Sequence, residues 1–109
     1  MVEIIYNRPA HSLTAKGHAQ AGEKGSDPVC AGVSALVLTL AENVASLVTQ
    51  GNASRQVLRL NDGDAEVSCQ SGEKMDAVVT LIYDTLCSGF ALLQTLHPEH
   101  VSYKVIGQK

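Results

Sequence analysis

Three cysteines and four histidines carry the most reactive side chains in this sequence, and their settings differ. Cys30 follows Asp27-Pro28, where aspartate suits a helix cap and proline the first helical position. In that first turn, free backbone N–H groups and the positive end of the helix dipole favour an anionic sulfur, the nucleophilic form of cysteine. Position alone leaves a second reading open, in which Cys30 is one more small apolar residue on a buried helix. Cys69 shares a strand with Ala65 and Val67, and Cys87 sits mid-helix among apolar neighbours. Both read as core.

A nucleophilic cysteine needs a base, and His11, His18, His97 and His100 are the candidates. His18 ends a strand and opens a glycine-containing loop that leads back to Cys30, twelve residues on, 30 − 18. His11 lies seven positions from His18, so in an unbroken strand the two would face opposite sides and only one could face a helix layer. His97-Pro98-Glu99-His100 has a spacing that could recruit a metal, but without further ligands nearby it reads as a turn with exposed histidines, and no metal site is expected. Ser34 stands one turn after Cys30. Its hydroxyl could approach the sulfur or bond the carbonyl four residues earlier, the commoner choice. Gly32 costs up to about 1 kcal/mol relative to alanine in a helix, which suggests either tolerance near a helix end or close approach of something to the backbone.

The elements that must hold these residues follow from periodicity and punctuation. Val2 to Tyr6 is a β-rich run ended by Asn7-Arg8-Pro9, and Ser12 to Gly17 alternates apolar Leu13 and Ala15 with Thr14 and Lys16, giving a hairpin. His18 to Pro28 contains Gly22 and Gly25 and no large apolar residue, so a mobile loop is expected. Helix one should span Pro28 to Thr49, with Val29, Val33, Leu36, Val37, Leu40, Val44, Leu47 and Val48 at helical spacing, and Gly51-Asn52 closing it. Val57 to Leu60 and Ala65 to Cys69 flank Asn61-Asp62-Gly63-Asp64, a strong hairpin turn. Ser71 should cap a second helix with Glu73 and Asp76 in its first turn and an apolar stripe of Met75, Val79, Ile82, Leu86, Phe90 and Leu93. His100 to Ile106 reads as the last strand. The order ββ-α-ββ-α-β predicts an α+β fold, with a mostly antiparallel sheet of about five strands and both helices packed on one face.

With 109 residues, 45% hydrophobic, the chain describes one domain over 1–109. The net charge is −3, and the eight basic residues are scattered singly, which disfavours a nucleic-acid partner. Three cysteines outside any C-x-x-C pair disfavour a disulfide framework and fit a reducing compartment. The N-terminus lacks the basic and apolar regions of a signal peptide, and polar residues interrupt both helical stretches, so no membrane span is expected and the cytoplasm is the natural setting.

Gly17-His18-Ala19, a loop ending in Gly25-Ser26-Asp27, and Val29-Cys30-Ala31-Gly32-Val33-Ser34-Ala35-Leu36 together resemble the ribosomal-processing cysteine protease family. That family's pattern is a G-H-A element, a Gly-rich loop and G-x-D-x-V-C-A followed by V-S-A-L. The match is dense over 17–36; beyond it only length and element order agree. Gly32 stands where relatives often have a second alanine. The resemblance implies catalytic roles for His18 and Cys30, supporting roles for Asp27 and Ser34, and a substrate loop that includes Gly17, Ala19, Gly22 and Gly25. It further implies removal of a short N-terminal extension from the precursor of a large-subunit ribosomal protein, after a hydrophobic, Phe-rich motif, by a homodimer without cofactors. Two other readings fit the residues: a non-catalytic, ribosome-associated peptide-binding module, and a redox-sensing thiol protein, which would want a resolving cysteine.

Overall fold

The computed structural model describes residues 1–107. The elements run β1 (Val2–Asn7), β2 (Ser12–Lys16), α1 (Pro28–Thr49), β3 (Ser54–Asn61), β4 (Asp64–Gln70), α2 (Asp76–Leu96) and β5 (Val101–Ile106). The strands form one sheet in the order β3-β4-β2-β1-β5. Three neighbouring pairs are antiparallel, and β5 joins β1 in parallel after the α2 crossover. The expected α+β order and mostly antiparallel sheet are therefore present.

Alternation decides which face is covered. Ile4 pairs with Ala15, Tyr6 with Leu13, and Leu13 with Val67, and all five are buried. Their neighbours Glu3, Thr14, Lys16 and Glu66 lie on the opposite face. Onto the apolar face α1 lays Val29, Val33, Val37, Leu40, Ala41, Val44 and Leu47, and α2 lays Val79, Tyr83, Cys87 and Phe90. By length and composition both helices could cross a bilayer despite their recurring polar residues. Here their buried sides supply the core. Gly32 meets the Leu93 methyl groups, and Gly89 faces Leu36, so small residues let the two helices approach. The close approach suggested by Gly32 is thus helix packing.

Two features of α2 depart from expectation. Its stripe is rotated: Tyr83 joins the expected Cys87 in the core, whereas Ile82 and Leu86 are only half-buried. A tyrosine can take that place because its hydroxyl donates to the Val67 carbonyl at 3.0 Å, leaving no unpaired polar group. Ser71 does not cap the helix. The chain makes an extra turn, closed by the Met75 N–H to the Gly72 carbonyl at 3.1 Å, so α2 begins at Asp76 without a side-chain cap, and the buried Ser71 hydroxyl has no partner among the described residues.

His11, and not His18, is the histidine under the helix layer. It is 3% exposed, its Nε2 lies 2.8 Å from Thr80 Oγ1 and 3.6 Å from Asp76 Oδ1, and its ring rests on Tyr83. Burial pushes its pKa below the usual histidine range, only partly opposed by the exposed Asp76. Because the unfolded imidazole takes up a proton near pH 6.5 while the buried one resists, the unfolded chain binds more protons as pH drops. Stability should therefore be fullest above about pH 6.5 and fall as pH drops through the lower folded value. His11→Asn, whose side chain tolerates the φ of 48°, should flatten that acid slope in chemical denaturation series. An unchanged slope would remove His11 from the acid response.

Candidate active site

Four chain segments meet at the C-terminal end of β2. The antiparallel register sets Lys16 opposite Asp64, so the chain leaving β2 runs against the β3–β4 turn, and the Gly17 N–H donates to the Gly63 carbonyl at 2.9 Å. Gly17 has a φ of +96°, and a side chain there would stand 2.5 Å from the Met1 carbonyl oxygen. Only glycine fits. The strand consequently stops at Lys16, and the chain turns before His18, which escapes the strict alternation expected of an unbroken strand.

His18, Cys30, Ser34 and Asp62 line one continuous cleft between the loop, the start of α1 and the β3–β4 turn. Ala15, Val33, Val37, Leu38 and Leu60 wall one side, and loop residues including Gln20, Gly22, Lys24 and Gly25 roof the other. Cys30 is partly exposed, whereas Cys69 and Cys87 are buried. Burial raises the Cys69 thiol, and it pushes the Cys87 thiol up to about 12. Both stay protonated and poorly nucleophilic near neutral pH. Among the described residues no hydrogen bond joins Cys30 to His18, and the Ser34 hydroxyl makes none, so the expected bond to the carbonyl four residues earlier is not formed. Thr39 does make that kind of bond, to the Ala35 carbonyl.

Asp27 caps α1 as the sequence suggests. Its carboxylate accepts from the N–H groups of Val29 at 2.9 Å and Cys30 at 3.0 Å, and also from Ala21 at 2.9 Å. Those amides, that of Cys30 foremost, hold its pKa below the usual carboxylate range. One carboxylate thus starts the helix and ties down the loop. Asp27→Ala should lower the melting temperature and speed hydrogen exchange at the Ala21 amide, and an unaltered Ala21 exchange rate would show that the tie carries no weight. The loop is less free than its composition implies. Ala19 is 2% exposed, Ala21 packs against the core, and His100 Nδ1 lies 2.8 Å from the Ala19 carbonyl oxygen. His100 is therefore a strut for the loop and not an exposed turn residue. Among the described residues no three His, Cys, Asp or Glu side chains gather as a metal site.

Asp62 and Gly63 were not expected at the site, and His100, one of the candidate bases, instead supports the loop through the Ala19 carbonyl. The sequence marks Asp62-Gly63 as a turn, but only the strand order, which sets β4 beside β2, brings that turn to His18.

The family model for cysteine protease Prp matches residues 1–102. No curated protein sequence matches the chain. Among solved structures, the fold is similar to that of the ribosomal processing protease Prp from S. aureus with a covalently linked product peptide. That pair shares 22% identity and a TM-score of 0.71, covering 95% of this chain and 96% of the other. The S. aureus protease with a substrate peptide aligns at 21% identity, a TM-score of 0.66 and coverage of 95% and 96%. A Streptococcus mutans protein aligns at 26% identity, a TM-score of 0.67 and coverage of 98% and 93%.

Proposed function

Since the chain belongs to the cysteine protease Prp family, we propose that Cys30 is its nucleophile and His18 its base, and that it trims the N-terminal extension from the precursor of a large-subunit ribosomal protein. The observation that carries the residue assignment is the cleft: His18 and Cys30 come from different elements and line the same groove, while the other two thiols are buried. Membership of a protease family sets aside the non-catalytic binding module. The redox-sensor reading lacks an accessible resolving thiol.

In the proposed reaction His18 takes the Cys30 proton, and the sulfur attacks the scissile carbonyl carbon to form the S–C bond. The C–N bond then breaks, the imidazolium gives its proton to the leaving amine, and water hydrolyses the thioester with His18 as base. The apolar wall beside Cys30 suits a hydrophobic residue next to the cut, and Gly22 and Gly25 belong to the roof over the peptide. The first turn of α1 offers the tetrahedral oxygen less than its position suggests. The amides of Val29 and Cys30 go to the Asp27 carboxylate and that of Ala31 to the Asp27 carbonyl. Gln20, with a φ of 57°, lines the roof of the cleft. Ser34 is a wall of the cleft. A homodimer in the cytoplasm, acting without a cofactor or nucleic-acid partner, completes the proposal.

The test is to incubate the purified protein with the precursor and read intact masses. Loss of one N-terminal fragment is expected; an intact precursor beside a cleaved unrelated peptide would reassign the substrate and keep the chemistry.

A further inference from the structure

The β3–β4 turn touches His18 through two residues that the reaction above does not use. The imidazole Nδ1 lies 3.9 Å from Asp62 Oδ1. The ring rests on Gly63, where a Cβ would stand 2.6 Å from Nε2 and 3.0 Å from Cε1. With a φ of +70° that position favours glycine twice over: by its backbone and by the ring it must admit. The turn is also fixed to the chain beside the imidazole, because the Gly17 N–H is bonded to the Gly63 carbonyl.

We propose that Asp62, presented on the Gly63 shelf, is the positioning residue of His18. This rests on the assignment of His18 as the base. A carboxylate on the Nδ1 side favours the tautomer with the proton on Nδ1, which leaves the Nε2 lone pair to receive the Cys30 proton. It also stabilises the imidazolium formed at that step. At 3.9 Å the pair lies beyond hydrogen-bond distance, and catalytic contacts that are long without substrate often tighten when it binds. The charged and titratable groups lining the cleft with His18 are Asp62 and Asp64 from the turn side, Lys24 and Asp27 from the loop side, and Cys30 from α1. Among the described residues only Asp62 comes within ion-pair distance of the imidazole. Its other oxygen, Oδ2, lies 3.7 Å from Lys24 Nζ, so the two oxygens serve the base and the loop separately.

A purely structural role for Asp62 would be that of a turn former, and aspartate and asparagine share that preference. The two roles therefore predict opposite rescue patterns. Asp62→Ala should lower kcat for precursor cleavage about tenfold, with KM changed less than about threefold. That is far less than removing a buried triad aspartate, because Asp62 is largely exposed. Asp62→Glu should recover most of the loss and Asp62→Asn little. An undiminished kcat in Asp62→Ala, or rescue by asparagine and not by glutamate, would overturn the proposal. If His18→Ala itself retained cleavage, the base assignment would fail; if His18→Ala is inactive while Asp62→Ala is not impaired, only the role of Asp62 falls.

Discussion

Cys30→Ala and His18→Ala should each lower precursor cleavage by at least about 10³-fold while the protein stays folded, since removing one member of a nucleophile–base unit costs nearly as much as removing both. Neither residue fills the centre of the core. Cys30 is only partly buried at the helix start, and His18 is 53% exposed. Melting temperatures within a few degrees of the parent would separate lost chemistry from lost structure. Cys69→Ala and Cys87→Ala should behave in the opposite way. Both thiols are buried in the core and held protonated by that burial, so their loss leaves cavities and lowers stability while folded molecules keep their turnover. Full activity in Cys30→Ala, or none in a folded Cys69→Ala, would reverse the division.

The largest loss of stability should come from Phe90→Ala, at about 3–5 kcal/mol. Phe90 is fully buried, the last of the four buried residues along α2, with its ring centroid 6.1 Å from that of Tyr103 on β5. The α2 crossover is what brings β5 beside β1, so this contact joins the last helix to the sheet edge it creates. Total stabilities of such domains lie near 5–15 kcal/mol, and the variant should therefore be partly unfolded at moderate denaturant, where the parent is intact. Leu81→Ala, at a position 65% exposed on the same helix, should stay within about 0.5 kcal/mol. A Phe90 variant as stable as the Leu81 variant in urea titrations would mean that α2 does not pack on the sheet through this face.

Most of the frame was legible because its determinants are local. Asp27-Pro28 announces the start of α1, the alternation of Leu13 and Ala15 announces β2, and Asn61-Asp62-Gly63-Asp64 announces a turn; each appears where expected. The start of α2 was misread because Ser71 has the composition of a cap but is buried by an extra turn, a tertiary preference that local propensity does not contain. Tyr83 was missed from the core, and the partner that lets its hydroxyl be buried, the Val67 carbonyl, lies sixteen residues away on strand β4. That His18 and Cys30 share one cleft could be suggested by the loop between them and by the family pattern. Asp62 at His18 could not, since it depends on the β2–β4 register, and His100 under Ala19 depends on the return of the chain 81 residues later.

The central claim is that Cys30 attacks the substrate, and tryptic mapping can read it directly. Cleavage at Lys24, Arg55, Arg59, Lys74 and Lys104 places the three cysteines in separate peptides, 25–55, 60–74 and 75–104. A fragment of the precursor's N-terminal extension ending in a chloromethyl ketone would present a carbon from which the attacking sulfur displaces chloride, leaving a stable thioether. The account predicts one label per chain, carried on peptide 25–55, appearing together with loss of precursor cleavage and absent from Cys30→Ala. Loss of cleavage with the label on 60–74 or 75–104, or with equal labelling of Cys30→Ala, would contradict it.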